Sequence, residues 1–157
     1  ASIALHFVDA GFRVDLFDAG GAMVSGERMA QATVTRQQIV DAMTDVQLSP
    51  RAALTRTVEH ASITQRGQLM VCILGRMTPG DAEVILGAQR NRARCFAFVL
   101  DPDTFTSRSE RSTPEQYDDH RAALERLRQA SWRVIEVAAG TEVVDAWTDL
   151  DRVGEYV

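Results

Sequence analysis

Two carboxylates separated by a proline, Asp101 and Asp103, are the first place in this chain to look for chemistry, because oxygens paired in this way can hold a cation. They end the apolar run "RCFAFVLD", much as Gly75, Arg76, Met77 and Thr78 end "LMVCIL". In open parallel sheets such run ends are where ligand sites are built. The plainer reading of Asp101-Pro102-Asp103 is a solvated turn. Thr78 and Thr113 place hydroxyls just before prolines, where helix N-capping accounts for them. Arg90, Arg92 and Arg94 could draw an anion, but positive charge behind a helix C-terminus is favourable without one. His6, His60 and His120 fall on three different expected helices with no metal-ligand spacing, and His120 in "YDDHR" reads as a solvated residue.

Other chemistry lacks its parts. No Ser lies in a G-x-S-x-G elbow, no G-x-G-x-x-G joins a strand to a helix, and all 17 basic residues are Arg, so a phosphate-loop Lys is missing. Cys72 and Cys95 sit inside apolar runs, where a small buried thiol is the usual role. Two cysteines make neither a disulfide framework nor a zinc set, which points to a reducing, cytoplasmic setting. A net charge of −5 argues against a nucleic-acid partner. No apolar run reaches the roughly 20 residues of a membrane helix, so no membrane contact is expected of this segment. At 157 residues, 45% of them hydrophobic, one domain spanning 1–157 is expected. The chain opens without Met, as a piece of a larger protein would.

The elements that must position these residues follow from periodicity. Residues 1–10 suit a short helix stopped by Gly11. "FRVDLFDA" alternates as a strand does, and 22–34 could hold a weaker one. Thr35 and Gln38 have capping-box spacing for a helix over 36–46 with Ile39, Val40 and Met43 inward. Ser49-Pro50 opens another, to about His60. "QLMVCILG" and "RCFAFVLD" are continuous apolar runs of the kind that form adjacent strands buried on both faces. A helix from Asp81 to Asn91 should join them. Thr113 to Gln116 opens the next helix, "WRVIEVA" is a strand nearer the sheet edge, and a last helix carries Val143, Val144, Trp147 and Leu150. Residues 101–112 read as a polar loop. Strand and helix alternate, which implies an α/β fold of three layers, a mainly parallel sheet with helices on both faces.

The segments "ASIALHFVDAGFRVDLFDA", "LMVCILGRMTPGDAEVILGAQRNRARCFAFVLD" and "ASWRVIEVAAGTEVVDAW" together resemble the C-terminal part of the "domain of unknown function fifty-eight" family in its actinobacterial branch. That resemblance implies a von Willebrand factor A-like fold, in a cytoplasmic domain often tethered by N-terminal membrane helices and encoded beside a MoxR-type AAA+ ATPase. In A-type domains of this fold a metal site uses an Asp-x-Ser-x-Ser loop, a later Thr and an Asp after the fourth strand. The first loop would precede Ala1, Ser49 and Thr55 lie near the expected Thr, and the Asp position falls at Gly75 or Arg76. Arg76 would repel a divalent ion. The resemblance also implies that the first central strand is missing from the chain, leaving a slot that a homodimer could close.

The expected function is therefore a non-catalytic protein-interaction domain with neither metal nor cofactor, its partner surface formed by Arg76, Met77, Asp101, Asp103 and the 104–112 loop. Two rivals stand beside it. One is a small-molecule or nucleotide-binding α/β enzyme domain, the other a metal-dependent adhesion-type module completed by upstream residues.

Overall fold

The computed structural model describes residues 2–12, 14–17, 36–44, 53–62, 69–87, 89, 94–107 and 111–152. The chain divides into two compact units, Ala1–Ile63 and Thr64–Val157.

In the first unit α1 (Ser2–Asp9) packs against α2 (Arg36–Thr44), and α3 (Ala53–Ser62) follows. The expected stop at Gly11 is present. Gly11 takes φ +83° and donates its N–H to the Val8 carbonyl, while the Phe12 N–H reaches Phe7. This is a Schellman motif, whose usual apolar contact is supplied by the edge-on pair of Phe7 and Phe12 rings at 5.7 Å. Phe12 therefore belongs to the helix stop and not to a strand. Of the strand expected over "FRVDLFDA", the described residues show one bridge residue, Phe17. Residues 13, 18 and 19, the weaker strand over 22–34, Thr35 and Ser49-Pro50 lie outside the described residues. Ile39 is fully buried, but Val40, expected beside it, is exposed.

The second unit is α/β. Its strands β1 (Leu69–Leu74), β2 (Arg94–Leu100) and β3 (Arg133–Val137) form an open, all-parallel sheet in the order β1-β2-β3. Between them run α4 (Pro79–Gly87), the single turn α5 (Pro102–Phe105) and α6 (Pro114–Gln129), and α7 (Val143–Arg152) ends the unit. α4 is described to Gly87, and Gln89 is in a 3-10 turn. Residues 88 and 90–93, which include the expected end at Asn91 as well as Arg90 and Arg92, lie outside the described residues, and Arg94 opens β2 as expected. α5 is an addition to the loop expected over 101–112.

Register divides the side chains between two faces. Val71, Ile73, Phe96, Phe98 and Ile135 share one; Cys72, Ala97, Val99, Val134 and Glu136 share the other. α6 packs on the second face, since Arg128 pairs with Glu136 at 2.8 Å, and α4 lies against α6. Their buried Ala82, Ile85, Ala123, Leu124 and Leu127 meet a strand surface kept small by Ala97. α7 covers the first face, where Trp147 stacks on Phe98 at 5.6 Å and meets Phe96 edge-on. Helices thus cover both faces of the sheet. Leu150 is buried as expected on α7, but Val143 and Val144, expected inward with it, are exposed, and Ala146 is buried in their place.

The adjacency of β1 and β2 is as expected, but equal burial is not. β2 is buried from Cys95 to Val99, whereas β1 stands at the end of this sheet with Leu69 exposed and Ile73 60% exposed. α6 closes with a second Schellman motif, the Ser131 N–H bonding to Arg128 and the Trp132 N–H to Leu127. Here a serine takes the glycine position at φ 65°, a strain of roughly 1–2 kcal/mol for a side-chain-bearing residue. Trp132 holds it there: it is buried, and its indole N–H donates to Gln89 Oε1 at 2.9 Å, while the Gln89 amide donates to the Ala130 carbonyl.

Candidate functional site

The exits of β1 and β2 lie side by side, and the residues expected to act there do come together. Thr78 begins α4 as a reciprocal cap: its N–H and hydroxyl both donate to Asp81 Oδ2 at 2.8 Å, and the Asp81 N–H donates back to the Thr78 hydroxyl. Asp101 caps α5 one way only, its side chain accepting the Asp103 N–H at 3.0 Å while its own N–H donates to the Val137 carbonyl. Asp101 is therefore spent on a turn, as the plainer reading of the sequence had it. Thr113 and Gln116 complete a capping box at the start of α6.

Asp103 is the hub. Its Oδ1 accepts both the N–H and the hydroxyl of Ser112 at 2.8 Å, and the Arg76 guanidinium reaches it at 3.4 Å. The Ser112 backbone and side-chain bonds, with smaller help from Arg76 and Arg111, hold the Asp103 carboxyl below the usual carboxylate range, against the pull of burial. Arg76 stands at the β1 exit, directly after Gly75. Its Nε is buried without a hydrogen-bond partner.

Met77 needs correction as a surface residue. It is 4% exposed, and what it contributes is its backbone N–H, which donates to His120 Nδ1 at 3.2 Å. His120 needs the opposite correction, from solvated residue to buried one, with 9% exposure. Since Nδ1 accepts, the neutral ring carries its proton on Nε2. Burial pushes the His120 pKa below 6.5; Glu136, Asp101 and Asp103 oppose that shift and Arg76 adds to it.

The sequence reading places His120 in solvent and takes Ser112 only as the end of the 104–112 loop. A signal for His120 was available: with Ala123, Leu124 and Leu127 it makes a stripe at the three- and four-residue spacing of one helix face. Ser112 had none, because its role depends on α5 folding back toward the start of α6.

The polar knot forms part of the wall of an open cleft of about 410 Å³, lined among others by Asp103, Ser112, Tyr117, His120, Arg121 and Glu136. Among the described residues no three His, Cys, Asp or Glu side chains converge as a metal set would require. No described helix is long and apolar enough to cross a membrane. No family model matches the chain, and neither a curated protein nor a solved structure does.

Proposed function

We propose that the chain is a metal-independent, non-catalytic protein-interaction domain whose contact surface is the strand-exit face around Arg76, Asp101, Asp103 and α5. One observation carries this reading: the polar groups at the exits are engaged with one another, Asp103 by Arg76 and Ser112, and His120 by the Met77 N–H. A general base or nucleophile needs a group directed at a substrate. Beside the knot Phe105 on α5 is 55% exposed, an aromatic of the kind that anchors protein contacts. The resemblance to the fifty-eight family adds a von Willebrand factor A-like fold and a MoxR-type AAA+ ATPase as the partner to test first. It finds support in the all-parallel sheet with helices on both faces.

A second reading, a small-molecule or nucleotide-binding enzyme domain, is favoured by the cleft, where His120 and Tyr117 stand among charges of both signs. Thermal shift separates the two. A ligand at a hundred times its Kd stabilises by about 2.7 kcal/mol. The interaction reading expects no shift with Mg²⁺, Mn²⁺, ATP or GTP, together with calorimetric binding to a MoxR-type ATPase that Phe105→Ser weakens. A clear shift with a nucleotide, and no binding to the ATPase, would move the assignment to the cleft.

A further inference from the structure

We infer that His120 is a protonation-sensitive latch that fastens the β1 exit to α6. The basis is the direction of one hydrogen bond: the Met77 N–H donates to His120 Nδ1 at 3.2 Å, across 43 residues of sequence. A backbone N–H can only donate, so this bond exists only while Nδ1 has no proton. Protonating the ring would set two N–H groups against each other in a buried place, and an unsatisfied buried donor is costly.

What the latch holds follows from the chain. Met77 directly succeeds Arg76, whose guanidinium reaches Asp103, and precedes Thr78, which caps α4. Opening at Met77 therefore loosens the Arg76 to Asp103 contact and the start of α4 together. The charged groups that act on His120 come from four places around it: Arg76 at the β1 exit, Asp101 at the β2 exit, Asp103 on α5 and Glu136 on β3. The three carboxylates favour the protonated ring, and burial with Arg76 disfavours it; burial is the largest influence.

The sign of the effect is fixed. In the opened form the hydrated ring takes up a proton near 6.5, its ordinary pKa, while the closed form takes it up only at lower pH. The latch's contribution is complete above 6.5 and is lost as the pH falls below it, toward the closed-form value. The device concerns conformation, and it holds whatever partner the exit face engages.

The test is an NMR titration of the full 157-residue chain between pH 7.5 and 5, following the His120 ring nitrogens and the hydrogen-exchange protection of the Met77 amide. At pH 7.5 the ring should show the Nε2-protonated tautomer. As the pH falls below 6.5 the Met77 protection factor, corrected for intrinsic exchange, should drop by up to about tenfold per pH unit, the limit for one linked proton. His120→Asn keeps an acceptor near the Nδ1 position and removes the titration, so its Met77 protection factor should change less than about twofold over the same range. An Nδ1-protonated tautomer at pH 7.5, or unchanged wild-type protection, would overturn the latch. So would the same pH response in His120→Asn. If that variant does not fold, the wild-type tautomer and titration still decide.

Discussion

β1 and β2 carry apolar runs of the same kind, lie side by side in register, and end in the same knot of polar side chains, yet their surroundings differ. β2 has a strand on each side, α4 and α6 beneath and α7 above, and from Cys95 to Val99 it is buried. β1 is last in the sheet of its unit, and Trp147 lies over Phe96 and Phe98 while Ile73, the register partner of Phe98, remains 60% exposed. A continuous apolar run therefore marks a strand of a parallel sheet without saying how deep in the sheet it sits. Depth comes from the neighbours, and a run of six residues does not encode them.

Truncation should separate the two strands most widely. Phe98→Ala removes a ring that is 4% exposed and stacked on Trp147, and should cost about 3–5 kcal/mol in urea denaturation. The same measurement on Ile73→Ala should give no more than about 0.5 kcal/mol, as for other surface positions. Equal costs would break the comparison.

Enlargement on the opposite face sharpens it. Ala97 is fully buried under the helices, so Ala97→Val should cost about 1–3 kcal/mol through overpacking. Its register partner on β1 is Cys72, only partly buried, where Cys72→Val changes little volume and should cost less than about 1.5 kcal/mol. A larger cost at Cys72 than at Ala97 would mean that the helices press on β1 harder than on β2.

Much of the second unit was legible in the sequence. The strand, helix, strand order and the caps at Thr78 and Thr113, like the stop at Gly11 in the first unit, each rest on short-range chemistry that a few residues fully specify. The illegible parts are those decided at a distance. Phe12 looked like the first residue of a strand because its alternation with Val14 and Leu16 is real, but its ring is claimed by Phe7 one helical turn back. Val143 and Val144 look like core residues, yet α7 turns Ala146, Trp147 and Leu150 toward the sheet and leaves the two valines exposed. At the site, Asp101, Asp103 and Arg76 could be named from their places at strand ends. That Asp103 would be satisfied by Ser112, and His120 by a backbone N–H from another strand's exit, depends on the fold of α5 and the tilt of α6.

The parallel order of the sheet also has a bearing on how the protein is made. Among the described residues no two neighbouring strands are joined by a hairpin, so each waits for an entire helix to be synthesised before its partner exists. Chains fold from the N-terminal end as they emerge, and β2, the most buried strand of the three, comes off the ribosome before α6, β3 and α7. Until they arrive, the strand that will be the best protected in the finished protein has one edge without its sheet neighbour, one face without α6 and the other without α7. That interval, and not any exposed feature of the folded state, is when "CFAFVL" is most prone to pair with another nascent chain.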